Sequence, residues 1–384
     1  METSPGRLAE LARLFLKLGL IGFGGPAAHI AMMEEEVVER HRWLTREHFL
    51  DLVGATNLIP GPNSTEMAIH VGYLRAGWAG LLTAGLCFII PAVLITTAFA
   101  WAYVTFGTLP RVVPFLFGIK PALIAIILAA VWRLGRTAAK GMPLLSLGCA
   151  VAVASLVGWD EIVLLLLGGV IGMLWLGRAG NLAALAWMSA SAAGSAAATA
   201  GAAGAAGASI SLAKLGLFFL KVGAVLYGSG YVLVAFLEGG LVRDYGWLSE
   251  AQLLDAIAIG QLTPGPVLST ATFIGYILGG LPGAVVATAG IFLPSFIFVA
   301  ALGLVLPRLR RSRWMAAFLD AVNMSSVALM AAVTVKLSVS TLTSWPAWII
   351  ALAAAGAGLR WKVNATWLVL GGAVVGRLLW PWVS

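Results

Sequence analysis

Charged residues are scarce in this sequence. Asp, Glu, Lys and Arg make up 10% of its 384 residues, whereas 60% are hydrophobic and the mean hydropathy is +0.97. A soluble domain of this size cannot bury so much apolar surface in one core. About 20 helical residues cross the hydrocarbon of a bilayer. We therefore predict an all-α protein that crosses the lipid bilayer several times, with candidate spans at residues 80–106, 114–132, 162–176 and 281–306.

Cysteine is almost absent, and so are the common catalytic signatures. Cys87 and Cys149 lie within apolar runs without metal-ligand spacing, so we predict that both are small buried residues. The four histidines form no HExxH pattern, and no GxxxxGK[ST] phosphate-binding loop is present. We find no cluster of a nucleophile and a base. The sequence therefore predicts no metal, no cofactor and no enzymatic activity, with an intramembrane enzyme as the remote alternative.

The formal net charge is +8, which in a soluble protein would indicate a nucleic-acid partner. Here most Arg and Lys residues lie in short loops beside apolar runs, where they set the orientation of membrane helices. We therefore predict no nucleic-acid partner. The same excess of positive charge produces a field that favours anions.

The chain contains an internal duplication. Residues 17–62 align with residues 221–266 without a gap, and 14 of the 46 aligned positions are identical. The identities include Lys, Glu, Trp, Asp and a Pro-Gly-Pro triplet, so a shared richness in Ala, Gly and Leu does not explain them. After one deletion the match resumes, with Gly80 on Gly283 and Pro91 on Pro294. Internal repeats of this kind are typical of secondary transporters.

A stretch of small residues separates the two copies. Residues 189–209 consist of Ala, Gly, Ser and one Thr, a composition typical of flexible linkers. An extra span built of small residues is the alternative. We predict a first repeat at residues 8–177, a linker at 178–210 and a second repeat at 211–384.

Positive charges predict opposite membrane orientations for the two repeats. Lys and Arg concentrate in cytoplasmic loops, and in the first repeat they mark the loop that holds Arg133, Arg136 and Lys140. In the second repeat they mark residues 307–313, which correspond to a first-repeat loop on the other side of the membrane. The repeats are therefore predicted to be inverted. The sequence does not decide on which side the N-terminus lies.

Each repeat places a Pro-Gly-Pro triplet within an apolar run. Proline disfavours helix in the residue before it, so the helix that begins near Thr45 should end near Ile59, and a new helix can begin at Asn63. The first amides of that helix form an anion site, and inverted repeats can bring two such sites together near the midplane. A tight turn at the membrane surface is the alternative. The candidate substrate-binding residues are Asn57, Pro60, Gly61, Pro62, Asn63, Ser64 and Thr65, and in the second copy Gln261, Pro264, Gly265, Pro266, Ser269 and Thr270.

A second discontinuity, GFGGP at residues 22–26, recurs as LYGSG at 226–230. Its glycines allow positive φ and its proline ends the preceding helix, although close packing of small residues is an equal alternative. The helix before each copy carries a lysine that could attract an anion or extend to the lipid headgroups. These segments add Gly24, Gly25, Pro26, Gly228, Ser229, Gly230, Lys17 and Lys221 to the candidate substrate-binding residues.

Acidic residues also pair across the repeats. A carboxylate at membrane depth is a candidate for proton coupling. The candidates are Glu34, Asp51, Glu238 and Asp255, with a location in interfacial helices and loops as the alternative. Glu66 has a local explanation, because Asn63 and Glu66 have the spacing of a capping box.

The sequence resembles the chromate ion transporter (CHR) family, in its long two-domain form. The resemblance rests on three motifs at a characteristic spacing, namely FGGP, a Trp-Leu-Ser/Thr turn and PGP. The resemblance covers nearly the whole chain apart from the linker. It implies a bacterial or fungal membrane protein that exports chromate and has two oppositely oriented halves. The second copy departs from the motif, with YGSG in place of FGGP. The motif positions are Gly24, Gly25, Pro26, Glu34, Trp43, Pro60, Gly61 and Pro62, and then Gly228, Gly230, Glu238, Trp247, Pro264, Gly265 and Pro266.

Together these inferences predict a secondary transporter that exports chromate across the bacterial inner membrane, uses the proton gradient and confers chromate resistance. Its partners would be the chromate anion, protons and the lipid bilayer. Sulfate has the same shape and charge, so sulfate, another oxyanion or a small organic acid is the alternative substrate. The coupling ion, the span count and the oligomeric state, including a homodimer, stay open.

Overall fold

A computed structural model describes residues 5–177, 210–227, 230–309, 313–361 and 363–382. Within these ranges all regular structure is helical, which confirms the predicted all-α class. The predicted linker, apart from Ile210, lies outside the described residues. Gly228 and Ser229, two of the predicted site residues, lie outside them as well.

The first half contains seven α-helices in the described ranges. A π-helical turn, Glu35–Arg40, follows the second of them directly. The helices are α1 Pro5–Ile21, α2 Pro26–Glu34, α3 Arg46–Thr56, α4 Asn63–Phe106, α5 Val113–Ala138, α6 Met142–Val157 and α7 Glu161–Gly177.

The described part of the second half repeats this order. It has α8 Leu212–Val225, α9 Leu233–Leu237, α10 Glu250–Leu262, α11 Thr270–Leu309, α12 Arg313–Thr341, α13 Trp345–Arg360 and α14 Ala365–Leu379. A π-helical turn, Glu238–Asp244, again follows the short second helix, and 3₁₀ turns lie at Gly230–Val232, Val267–Ser269 and Trp380–Trp382.

Four helices in the described ranges are long and apolar enough to cross a membrane, as a multi-pass protein requires. They are Asn63–Phe106, Val113–Ala138, Val267–Ala301 and Trp314–Thr341, and Met142–Val157 and Glu161–Leu176 are shorter apolar helices. The predicted span at 162–176 thus falls in the shorter group. The span at 314–341 was missed because polar residues such as Asp320 and Asn323 interrupt its apolar run.

Helix α4 folds back on itself near its N-terminal end. Ala76 and Gly77 have non-helical φ/ψ values of −147°/28° and 59°/−145°. After this kink Gly80 returns to contact Gly72, although eight residues of a straight helix would separate them by about 12 Å. Helix α4 is therefore a hairpin with a short arm, residues 63–75, and a long arm, residues 78–106.

Helix α11 has the same shape. Gly279 and Gly280 adopt −149°/23° and 60°/−152°, nearly the values found in α4, and Gly275 contacts Gly283. The two long arms begin at residues 78 and 281, close to the predicted starts of the apolar runs at 80 and 281. Each short arm is only about 20 Å long or less at 1.5 Å per residue, too short to cross the hydrocarbon alone.

The two halves pack on each other reciprocally. Helix α5 of the first half contacts α13 and α14 of the second, and α12 of the second half contacts α6 and α7 of the first. Helices α4 and α11 also contact each other. Reciprocal contacts of this kind are those that a two-fold relation between the halves generates.

Large apolar side chains cover the outer surface, including Leu94, Val157 and Val339, which are 65%, 74% and 76% exposed. Such a surface suits contact with lipid rather than water. The prediction that both cysteines are buried is wrong for Cys149, which is exposed, while Cys87 is half-buried. An apolar residue of a membrane helix can face lipid instead of a core, so position within an apolar run does not imply burial.

Close helix packing at Gly118 gives a first testable prediction. A Cβ atom at Gly118 of α5 would overlap the backbone of Gly372 and Gly376 on α14, and the backbone atoms of two packed helices cannot yield. We expect Gly118→Ala to destabilise the fold by about 1–3 kcal/mol through overpacking. Gly371→Ala is the matched control, because no atom lies within 4 Å of its added Cβ. Equal thermal unfolding midpoints for the two purified variants would contradict this packing.

Candidate functional site

The first helix break, defined as residues 57–62, separates α3 from α4. Helix α3 ends at Thr56, earlier than the predicted end near Ile59, because a turn at Asn57 to Ile59 precedes the first proline. Within the break Pro60, Gly61 and Pro62 are buried. Gly61 has φ 140°, a conformation that favours glycine.

The second helix break, defined as residues 263–266, lies between α10 and the 3₁₀ turn at Val267–Ser269. Pro264, Gly265 and Pro266 are again buried, and Gly265 has φ 90°. Both triplets thus place a buried glycine with positive φ between two prolines.

Each break is hydrogen-bonded to the opposite half of the protein. The Gly61 amide donates to the Leu226 carbonyl over 2.7 Å, and the Gly265 amide donates to the Gly22 carbonyl over 2.7 Å. In the sequence alignment Gly22 corresponds to Leu226 and Gly61 to Gly265. The two bonds therefore join corresponding positions of the two halves, and each connects a Pro-Gly-Pro triplet to the GFGGP-type segment of the other half.

The first turn of α4 differs from the prediction. Pro62, not Asn63, is the N-cap residue, and no side chain caps this helix end, so the predicted capping box of Asn63 and Glu66 is wrong. The reason is that Pro62 already has extended backbone geometry and its carbonyl accepts from the amides of Thr65 and Glu66. The Glu66 side chain is fully buried.

A polar cavity of about 320 Å³ opens beside the first break. The side chain of Asn63 donates to that of Asn57, and both residues line the cavity. Across from them, Lys140 forms an ion pair of 2.7 Å with Asp320. The polar lining is completed by Thr137, Asn323 and Ser326. We call this the first-break cavity.

The polar residues at the corresponding positions of the second break are buried. Gln261 and Val267 stand at the positions of Asn57 and Asn63. The Gln261 side chain is buried and accepts a hydrogen bond of 3.4 Å from the Tyr231 hydroxyl. Ser269 and Thr270 are also buried. The two breaks therefore share a backbone conformation, but the second does not present its polar side chains in the same way.

The GFGGP segment connects α1 and α2. Gly24 and Gly25 have φ values of 108° and 79°, as their predicted freedom allows. Pro26 begins α2 rather than ending α1, which already stops at Ile21. In the second half Gly230 is buried at the start of a 3₁₀ turn.

The two lysines predicted to attract an anion lie away from the first-break cavity. Lys17 forms an ion pair of 2.6 Å with Glu36. Burial raises the pKa of Glu36, but the hydrogen bond and charge of Lys17 outweigh this and leave it below its usual range. Lys221 corresponds to Lys17, but Gly240 replaces Glu36 in its half, and Lys221 instead lines a separate cavity of about 520 Å³ with Lys214.

The acidic candidates of the first half lie near the surface. Glu34 forms an ion pair of 3.1 Å with Arg46, and Asp51 is exposed. Both positions fit the interfacial alternative.

The acidic candidates of the second half are buried beside cations. Asp255 accepts a hydrogen bond of 2.8 Å from Tyr103 and lies 3.6 Å from the Lys120 ammonium. Glu238 lies 3.7 Å from the Lys336 ammonium. Tyr103 and Lys120 belong to the first half, so Asp255 also joins the two halves.

Sequence reasoning missed most of the cavity lining. It included Asn57 and Asn63 but not Thr137, Asp320, Asn323 or Ser326, and it used Lys140 only as a topology signal. The partners come from α5 and α12, which no local pattern connects to the break. Lys120 was also missed, although an ionisable residue inside an apolar run is itself a signal of function.

The fold and the site define a multi-pass helical membrane protein with a polar cavity at a helix break, the arrangement typical of secondary transporters. A model of the chromate transporter family matches residues 9–173 and again residues 213–377. The chain therefore belongs to the chromate transporter family.

Individual relatives agree with this family. The chromate transport protein of Cupriavidus metallidurans is 32% identical over 99% of this chain and 96% of its own length. The probable chromate transport protein of Synechococcus elongatus is 31% identical over 97% of this chain and 96% of its own length. The uncharacterized transporter YwrA of Bacillus subtilis is 30% identical, and the match covers 33% of this chain and 72% of that protein. No solved structure matches the chain.

Proposed function

We propose that this protein exports chromate from the cytoplasm across a bacterial inner membrane, driven by the proton gradient, and thereby confers chromate resistance. The observation that carries the proposal is the first-break cavity, which places polar side chains and a lysine beside a helix break. Full-length similarity to chromate transport proteins supports the substrate. We further propose two inverted repeats within the predicted boundaries, which rock against each other around the breaks.

The cavity has the chemistry that a tetrahedral dianion requires. The amide groups of Asn57 and Asn323 are donors for its oxygens, and Lys140 supplies positive charge. Asp320 holds Lys140 through their ion pair. Incoming chromate would compete with Asp320 for the ammonium group. Sulfate presents the same charge and shape, so its rejection would depend on cavity size and donor placement.

The electrical component of the proton gradient favours export. The cytoplasm is negative, and each elementary charge that crosses 100 mV gains about 2.3 kcal/mol. A dianion that leaves the cell therefore moves down the electrical potential even when its concentration outside is higher.

Everted vesicles test the proposal, because export in the cell becomes uptake into the vesicle. Respiration makes the vesicle interior positive, and we expect chromate to accumulate inside it and to be released by a protonophore. Vesicles that lack the protein are the control. Accumulation that survives the protonophore would contradict the proposed driving force, and equal competition by sulfate would widen the substrate to tetrahedral dianions.

A charge change in the cavity lining should weaken chromate uptake. Asn323 is part of α12 and faces the first-break cavity. We expect Asn323→Asp to raise the KM for chromate more than tenfold, because a carboxylate within about 4 Å of a dianion costs several kcal/mol at the dielectric of a protein surface. Asn323→Ser, which removes the amide without adding charge, should raise it far less. Equal KM values in the two variants would place the anion elsewhere.

A further inference from the structure

Glu66 is a carboxyl group that the first-break cavity does not use. Its side chain is 0% exposed, and neither carboxyl oxygen has a hydrogen-bond partner. None of the ion pairs formed within the described ranges includes it. The neighbouring hydroxyls of Thr65 and Ser295 are also buried without a partner. Glu66 thus occupies a buried site that supplies no positive charge.

The surroundings of Glu66 come from both halves. One carboxyl oxygen lies against Gly61 of the first break, and a Cβ at Gly61 would lie 2.8 Å from the Ser295 hydroxyl of α11. Tyr227, which follows α8, is near enough to feel the charge of Glu66. His70 follows one turn further along α4, and its ring is buried. The titratable neighbours are therefore a phenol and an imidazole, and neither is a permanent cation.

The protonated form of Glu66 fits this environment better than the carboxylate. A buried carboxylate needs hydrogen-bond donors or a cation, and neither is in place. The other two buried candidates differ, because Asp255 has Lys120 and Tyr103 and Glu238 has Lys336. Each of those carboxylates therefore has a cation within 4 Å.

Glu66 is connected to the first-break cavity by short paths. Asn57 and Asn63 line the cavity, and Gly61, which contacts Glu66, lies between them in the chain. On the other side Ser326, also in the cavity lining, donates a hydrogen bond of 3.3 Å to the Tyr227 carbonyl. The cavity lining and the surroundings of Glu66 therefore share the first break, and a negative charge on Glu66 would repel an anion in the cavity.

We propose that Glu66 binds the proton that accompanies the anion through the transport cycle. This inference rests on the proposed function, because it names the residue through which protons and chromate are coupled. One proton is taken up by the Glu66 carboxylate from the side on which the dianion binds, and it is released with the dianion on the other side. The transported complex therefore carries one net negative charge. The electrical potential drives this complex outward, whereas the pH component of the proton gradient opposes it, because the proton leaves the more alkaline cytoplasm.

The ratio of chromate inside to chromate outside everted vesicles at equilibrium measures this net charge. Chromate is supplied at a pH where it is fully deprotonated, and a potassium gradient with valinomycin sets the interior about 30 mV positive. With equal pH on both sides we expect roughly 3-fold accumulation by the wild type and roughly 10-fold by Glu66→Gln, since one charge and two charges move, respectively. At zero potential, an interior one pH unit more alkaline should give roughly 10-fold accumulation by the wild type and none by Glu66→Gln.

The variants separate the possible failures. Glu66→Gln replaces a neutral acid by a neutral amide of the same shape, so it should fold, and chromate exchange at zero gradient shows that it is active. Glu66→Asp should keep the response to the pH gradient. If chromate accumulation by the wild type does not change with the membrane potential, the proposed function is contradicted. If the wild type responds but Glu66→Gln keeps the pH response, or Asp255→Asn alone loses it, the assignment to Glu66 is overturned.

Discussion

Gly61→Ala should abolish chromate uptake and destabilise the protein more than the equivalent change in the second half. Gly61 has φ 140°, which costs an alanine about 1–3 kcal/mol. Its new Cβ would also overlap the carboxyl of Glu66, which is fully buried, and would crowd the Ser295 hydroxyl. A shift of the backbone would then break the bond from the Gly61 amide to the Leu226 carbonyl, which joins the two halves.

Gly265→Ala is the matched comparison. Gly265 also has positive φ and an equivalent hydrogen bond, but its new Cβ would lie 3.0 Å from the methyl of Ala92 and 3.2 Å from the Gly19 carbonyl. Because these contacts are tight rather than overlapping, we expect a smaller loss of stability and some residual uptake. The measurements are thermal unfolding of the purified variants and chromate uptake normalised to protein in the membrane. Equal losses at both glycines would show that backbone strain alone, and not the contact with Glu66, decides the effect.

Arg243→Met should be the most destabilising loss of a single charge. Glu161 begins α7 in the first half, is 3% exposed and accepts two hydrogen bonds from Arg243, of 2.7 and 3.1 Å. Without Arg243 the Glu161 carboxylate stays buried against Gly239 with no cation, and losses of this kind are about 3–5 kcal/mol. We expect a value near the lower end, because the Arg243 side chain is partly exposed.

The double variant Arg243→Met, Glu161→Gln tests the cause. If the loss comes from an unpaired buried charge, neutralising Glu161 should restore most of the stability. Arg46→Met is the control, because Arg46 is 76% exposed in its ion pair with Glu34, and such surface pairs contribute about 0–1 kcal/mol. Thermal unfolding of the four proteins in the same detergent measures both effects. A double variant no more stable than Arg243→Met would attribute the loss to packing by the arginine side chain.

Local signals predicted the features that depend on only a few neighbouring residues. The apolar runs predicted the long arms of α4 and α11, because hydropathy depends on composition alone. Proline lacks an amide hydrogen, so the Pro-Gly-Pro triplets predicted where helices are interrupted to within three residues at Thr56. The cap of α4 was assigned wrongly because Asn63 and Glu66 had suitable spacing, while the backbone of Pro62 decided the helix start.

By itself the sequence determined the membrane class, the duplication and the places where its helices are interrupted, since each follows from composition, repetition or the covalent structure of proline. Only the tertiary structure decided which side chains meet at those places. The first-break cavity joins Asn57 to Lys140 and Asn323, and Glu66 is closed in by Gly61 and by Ser295 of the other half. These neighbours are set by the fold-back at Ala76 and Gly77 and by the reciprocal packing of the two halves. Contacts between residues so far apart in the chain depend on helix packing, which no local pattern specifies.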